Sequence, residues 1–272
     1  WTRPERLKDL LAAATETLLC IDGRQGCRVD LPASGRLLVT GDLHDNLVNY
    51  ERIVLEAQLD VPDHHLLLQE LIHGPALMHG CDMSWRMIAR TADLITRYPG
   101  QVHPILGNHE NAQLTRSGVS KGAGNNVELF EDGLAMTFGE DWEDVAASLD
   151  RFFSAMPLAV RTASGLQCSH SIPDHAWMDR FDPGVLDRDL DPEDRLAPWG
   201  QAYMHVWGRR FDDAQLDALC EAWGIEAVVI GHVVVDMGSQ RLGPRLVAFN
   251  SEDDAGAVWA VDLSRPIALD NV

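Results

Sequence analysis

Apolar residues recur along this chain in two rhythms. Behind Pro4, whose fixed φ suits a first helical turn, Leu7, Leu10, Leu11, Ala14 and Leu18 fall mostly three or four positions apart, which predicts an amphipathic helix over residues 4–18. The pattern then changes to short apolar runs alternating with helical ones. Residues 36–40 predict a strand and 47–59 a helix; residues 64–68 predict a strand and 84–98 a helix; residues 102–106 predict a third strand. Three strand-then-helix units in succession are what a parallel sheet in an α/β fold produces.

The second half is less regular. A glycine-containing loop near residues 117–124 precedes helical patterns over 127–137 and 142–155. Strand patterns over 158–162 and 166–168 flank Ser164-Gly165, a hairpin signal. Residues 182–195 are acidic, contain two prolines and predict a surface loop. A helix is predicted over 212–223, and strands over 227–230, 246–249 and 257–261. No repeat, low-complexity stretch or convincing linker divides the chain, so a single domain over 1–272 is expected, with helix 4–18 as an N-terminal extension.

The polar residues that end these strands carry the chemistry. Asp42 and His44 follow the first strand, Glu70 the second, Asn108 the third, and His170 and His232 two later ones. Ligands on such sheets gather at that edge. Singly, each residue has an ordinary explanation as a turn or a helix cap. Five strand ends presenting Asp-x-His, Glu, Asn-His, His and His are hard to attribute to caps. Carboxylate oxygen with imidazole nitrogen suits divalent first-row ions such as Mn, Fe or Zn, and the lack of thiolate argues against a structural zinc site. A carboxylate placed between two half-sites can bridge two ions, which sit about 3.5–4 Å apart in such centres and share a phosphoryl oxygen.

Composition narrows the partners. With 22 Lys+Arg against 42 Asp+Glu, the formal net charge of −20 repels polyanions, so no nucleic-acid partner is expected. The five cysteines are scattered without metal-ligand spacing, which predicts reduced thiols in a cytoplasmic protein. No apolar run reaches the roughly 18 residues of a membrane span, so no membrane partner is expected.

On these residues the chain resembles the calcineurin-like metallophosphoesterases and, within them, the serine/threonine protein phosphatases. Gly41-Asp42-Leu43-His44 is similar to that family's GDxH element, and Gly107-Asn108-His109-Glu110 matches its GNHE element. Residues 153–174 resemble the stretch in which a helix passes through a proline step into two strands and a ligand histidine. Val206-Trp207-Gly208-Arg209 resembles a Trp-containing element after it, and residues 249–263 resemble the closing strands. The resemblance implies a β-sandwich of two mixed sheets flanked by helices, a four-layer αββα arrangement. It implies Asp42 and His44 at one metal, Asn108, His170 and His232 at a second, and Glu70 as the carboxylate between them. His109 is implied as general acid to the leaving oxygen, a role worth about 10²–10⁴ in rate. Arg209, with Arg210 behind it, is the candidate for fork-to-fork phosphate binding, with a surface ion pair as the plain alternative for either.

Where the family carries GDxxDRG, this chain has Gln69-Glu70-Leu71-Ile72-His73-Gly74-Pro75. Glu70 adds one bond of about 1.5 Å in reach, while ligand distances hold to within roughly 0.2 Å, so either the backbone withdraws or a water intervenes. His73 stands where an Asp orients the catalytic histidine, and Gly74 where an Arg clamps phosphate. Two imidazolium rings side by side would repel. Either another acid therefore reaches His109, or His73 itself serves as an acid or binds phosphate; a polar residue at a helix start is the plain alternative.

The expected activity is hydrolysis of phosphomonoesters by hydroxide held between two divalent ions, with a phosphorylated small molecule or a phosphoprotein as substrate. Two other readings stand beside it: a dinucleoside polyphosphate or nucleotide hydrolase, and a degenerate member that binds metal or a phosphorylated partner without turnover. Two bound ions would also open an electropositive hole in an acidic surface, favouring small or locally basic substrates over highly acidic ones.

Overall fold

A strand that is apolar at successive positions must be covered on both faces, and runs of that kind make the middle of both sheets. The computed structural model describes residues 1–120 and 124–269; residues 121–123 of the loop expected near 117–124 lie outside that range. In chain order, α1 (Pro4–Leu19), β1 (Arg24–Gln25), β2 (Arg28–Asp30), β3 (Arg36–Asp42), α2 (Leu47–Ala57), β4 (His64–Gln69), α3 (Trp85–Arg97) and β5 (Val102–Ile105) make up the first half. After them come α4 (Asn108–Thr115), α5 (Asn126–Phe138), α6 (Trp142–Ala155), β6 (Ala159–Arg161), β7 (Leu166–Ser169) and α7 (Gln201–Trp207). The chain continues through α8 (Asp213–Trp223), β8 (Ala227–Ile230), β9 (Ser239–Gly243), β10 (Leu246–Phe249) and β11 (Val258–Asp262).

These strands form two mixed sheets flanked by helices. One has the order β11-β3-β4-β5, the other β1-β2-β6-β7-β8-β10-β9. In the first, β3, β4 and β5 are parallel, with Val39 opposite Leu67 and Leu67 opposite His103. The antiparallel β11 closes one edge, with Ala260 opposite Leu38. In the second, β7, β8 and β10 are parallel, while β6 and β7 form the hairpin turned at Ser164-Gly165. Leu37, Leu38, Val39, Leu66, Leu67 and Leu68 are all buried, as are Val228, Val229 and Ile230. On α1, Leu7, Leu11, Ala14 and Leu18 form one buried stripe that packs on α3 and α6.

The two sheets meet at the carboxyl ends of their parallel strands. Asp42 pairs in an isolated bridge with Asn250, just past β10, and the Ser251 amide donates to the Asp42 carbonyl at 3.0 Å. Ser251 Oγ accepts from the Gly41 amide at 2.9 Å and donates to the Ala257 carbonyl at 2.7 Å. This seam brings the ends of β3, β4, β5, β7 and β8 into one region.

The stretch 182–195 lies largely at the surface, as expected, but is pinned inward at one point. Two short 3-10 turns, Pro183–Asp187 and Pro192–Arg195, fold it back, and Val185 and Leu186 are fully buried. Its acidity is partly internal: Asp194 takes both Nη atoms of Arg188, at 2.6 and 2.8 Å.

Leu67 sits in the central strand of the four-stranded sheet with no exposed surface. Leu67→Ala is expected to lower the free energy of unfolding by about 2–5 kcal/mol, read from equilibrium urea denaturation. A change below half a kilocalorie per mole would contradict this packing.

Candidate metal centre and active site

Each strand end delivers its polar residue through an abrupt turn of the chain. His44, Glu70, His73 and His232 all have left-handed backbones, with φ of 40°, 49°, 63° and 62°. For residues with a Cβ this costs about 1–3 kcal/mol each, a strain that clusters at functional sites. The turn at Glu70 is held by its carbonyl, which accepts from the amides of Leu43 and His44 at 3.1 and 2.8 Å. The longer side chain of Glu70 then lies against Gly107, where a Cβ would come within 2.9 Å of the carboxyl carbon. Left-handed backbone and missing Cβ together make room for the extra methylene.

Glu70 is 1% exposed and belongs to two groups of converging donors. Asp42, His44 and Glu70 form one; Glu70, His170 and His232 form the other, the atoms within each group lying within 4.8 Å of one another. Glu70 Oε1 accepts the His109 amide at 2.9 Å, and Oε2 lies 2.6 Å from His170 Nε2. Asn108 Oδ1 joins the second group, 2.9 Å from His170 Nε2 and 2.7 Å from His232 Nδ1.

Neighbouring oxygens fix which imidazole nitrogen faces inward. Gln69 donates its amide to the Thr40 carbonyl at 2.6 Å, so its Oε1 takes the Nδ1 proton of His170 at 3.1 Å and leaves a lone pair on Nε2. His44 Nδ1 likewise donates to the Ile72 carbonyl at 3.0 Å, which turns Nε2 toward Asp42 Oδ2 at 4.0 Å and Glu252 Oε2 at 3.9 Å. Burial lowers the pKa of His170, and burial together with the neighbouring His170 lowers that of His232 well below its ordinary value, which favours the neutral form of each ring. Lone pairs and carboxylate oxygens therefore converge with few protons among them. That arrangement fits divalent cations, and histidines oriented by a second hydrogen bond are the usual form of such ligands.

Beside the donors, His109 Nδ1 lies 2.9 Å from His73 Nδ1, and His73 Nε2 donates to Gln113 Oε1 at 3.0 Å. His73 has no exposed surface, and burial takes its pKa down to about 4. The His73 amide is tied to Ser84 Oγ at 3.1 Å, and Phe130 meets its ring edge-on at 5.7 Å. Glu110 lies beneath, its Oε1 accepting from the amides of Leu71 and Ile72 at 2.8 and 3.3 Å. Burial, then the charge of Glu70, pushes the Glu110 carboxyl up to about 8.

A family model described as calcineurin-like phosphoesterase matches residues 35–236. The chain belongs to that family. A phosphoesterase of this family is a phosphoric ester hydrolase that works with divalent metals. The chain matches no curated protein sequence. Among solved structures it is similar to a protein serine/threonine phosphatase from Saccharomyces cerevisiae, with a TM-score of 0.67 and 14% identity over 94% of this chain and 81% of that one. It is also similar to a cold-active protein-tyrosine phosphatase of a psychrophilic Shewanella species, with a TM-score of 0.57 and 12% identity over 87% of this chain and 78% of that one. Identities this low establish the fold alone.

In this phosphoesterase the mouth of the site is a cavity of about 150 Å³ lined in part by Asp42, His44, Asn108, His109, Arg209 and His232. Arg209 reaches it while donating to the His232 carbonyl at 3.0 Å. Arg210 does not reach it: its Nε and Nη2 pair with Asp174 at 2.9 and 3.1 Å, the plain alternative considered above. Gln69, Gln113 and Glu252 belong to the site without having been singled out from the sequence. Gln113 lies one helical turn beyond His109, a spacing that shows only once a helix is known to begin at Asn108. A larger cleft of about 920 Å³ opens at the other end of the sheet, bordered by His65 and His103 near the starts of β4 and β5.

The His73 ring takes its proton near pH 6.5 when unfolded and only near 4 in the fold. Between those values the folded state binds fewer protons, so the stability is present above pH 6.5 and is lost as the pH falls toward 4. His73→Gln is expected to flatten the pH dependence of the urea-unfolding free energy across that window in metal-free protein; equal slopes would contradict a neutral buried ring.

Proposed function

We propose that this phosphoesterase is a two-metal phosphomonoesterase acting on phosphorylated protein or peptide, in the manner of the serine/threonine protein phosphatases. The observation that carries the reading is the pair of donor groups sharing Glu70, with His109 and Arg209 on the rim of the same cavity. Asp42, His44 and Glu70 would hold one ion, and Glu70, Asn108, His170 and His232 the other. Bound there, two ions supply Lewis acidity toward a phosphoryl oxygen and a nucleophile drawn from water at neutral pH.

The side chains supply the rest. Arg209 grips the phosphoryl group and His109 Nε2 gives a proton to the departing oxygen. A cavity of about 150 Å³ admits a phosphoryl group and leaves its carrier outside, against a rim where Val234 is 86% exposed. That favours a monoester on a large carrier over a dinucleoside polyphosphate. The five free cysteines support a reducing, cytoplasmic setting. Among the described residues no helix is long and apolar enough to cross a membrane.

Because Glu70 serves both donor groups, Glu70→Ala is expected to weaken binding of both Mn ions in a calorimetric titration, whereas Asp42→Ala weakens one. Loss of a single ion in Glu70→Ala would remove the bridging role. With Mn supplied, the wild type is expected to hydrolyse p-nitrophenyl phosphate and a phosphoserine peptide, reversibly inhibited by chelator and ahead of diadenosine tetraphosphate. His109→Gln is expected to lower turnover of the phosphopeptide by about 10²–10⁴-fold. Unchanged turnover in that variant, or a preference for the dinucleotide, would overturn the proposal.

A further inference from the structure

The pairing of two imidazole rings at 2.9 Å poses a question of proton count. One proton must lie between His109 Nδ1 and His73 Nδ1, and it can belong to either ring. If it belongs to His73, His109 Nδ1 is an acceptor, and His109 cannot carry protons on both nitrogens. It would then be a poor acid toward a leaving oxygen. If it belongs to His109, the ring can hold a second proton on Nε2 and release it while keeping the first. The choice is made at the far side of His73, where Nε2 meets the Gln113 side chain at 3.0 Å. A carbonyl oxygen there takes the Nε2 proton of a neutral His73 and leaves its Nδ1 as a lone pair.

We infer that Gln113 is a positioning residue whose side-chain carbonyl, acting through His73, sets the tautomer that lets His109 protonate the leaving group. The inference rests on the reading of His109 as the acid. The surroundings are built for it. Gln113 is 2% exposed and projects from α4 one turn beyond His109, so one helix carries both ends of the relay. Ser84 and Phe130 hold the middle ring, as described above. During turnover the P–O bond to the leaving group breaks, a water-derived oxygen forms the new one, and the Nε2 proton of His109 passes to the departing oxygen. His109 is left neutral with its Nδ1 proton still donated to His73, and solvent restores the Nε2 proton. A neutral imidazole thus does what a carboxylate does in the usual second motif, provided that its own proton is kept on the far nitrogen.

Imidazole nitrogen resonances of ¹⁵N-labelled, metal-free protein test this directly. The wild type is expected to show His73 as a single Nε2–H tautomer, and Gln113→Met a mixture. Nδ1–H on His73 in the wild type overturns the inference, whether or not any variant folds. Turnover supplies a second readout, because a misplaced acid is felt most by poor leaving groups. With Mn, Gln113→Met is expected to lower kcat/KM at least about tenfold on phenyl phosphate and about threefold or less on p-nitrophenyl phosphate. In a His73→Asn background, where Gln113 has no ring to hold, the same change is expected to cost little on either ester. Equal losses on both esters, or the same loss in both backgrounds, would mark Gln113 as structural only. The tautomer is read without metal or substrate, so it stands or falls apart from the phosphatase reading itself.

Discussion

A carboxylate that is 1% exposed keeps its charge only if something cationic stands against it, and the Glu70 carboxylate lies deep among imidazoles, with His170 Nε2 2.6 Å from its Oε2. Removing an ion from water costs several kcal/mol even after the protein relaxes. The surrounding residues offer mainly lone pairs: those of His170, His232 and Asn108 on one side, Asp42 and His44 on the other. Divalent ions would turn that cost into binding energy. Much of the architecture follows from the need to assemble these atoms. Parallel strands end together, the two sheets are sewn at Asp42 and Asn250, and residue 107 lacks a Cβ so that the carboxylate can lie where it does.

One device recurs around this point. An imidazole has two nitrogens, and a site built from histidines works only if each ring presents the right one. His44 is set by the Ile72 carbonyl, His170 by the Gln69 amide oxygen and His73 by that of Gln113. All three partners are neutral oxygens, and none adds negative charge to a region that already buries Glu70 and Glu110. Glutamines at 69 and 113 set tautomers without the mutual repulsion that further carboxylates would bring.

The sequence made this framework legible where burial is apolar and periodic. The strands around Leu38, Leu67 and Val229 and the helix at Asp213–Trp223 announce themselves that way, and the polar residues that interrupt the apolar runs at strand ends stand out against them. Helix α4 does not. Its buried positions include Asn108, His109, Glu110, Asn111 and Gln113, so the face turned inward is polar and no hydrophobic rhythm marks it. Gln113 was hidden for the same reason. The strands Arg24–Gln25 and Ser239–Gly243 escaped because the first has two residues and the second is largely exposed. Over 182–195 composition marks a surface loop but not its anchor, because the two apolar residues that pin it, Val185 and Leu186, carry no periodic signal.

The altered second motif also changes how substrate charge is met. An arginine at position 74 would need a Cβ where the carbonyl of His44 and the Cβ of Asp45 already lie, so the clamp of the usual motif is excluded here by backbone as well as by residue type. Among the described residues this leaves Arg209 as the guanidinium at the cavity, with Glu252 and Asp42 close by and a chain of net charge −20 around it. One exposed arginine cannot offset that field for a phosphoryl dianion, and salt screens its reach to about 10 Å. Two divalent ions in the proposed site would add four positive charges where a phosphoryl group would rest. On the proposed reading the metals would therefore carry substrate binding as well as chemistry, and the buried carboxylate that would hold them would also make the site attractive to an anion.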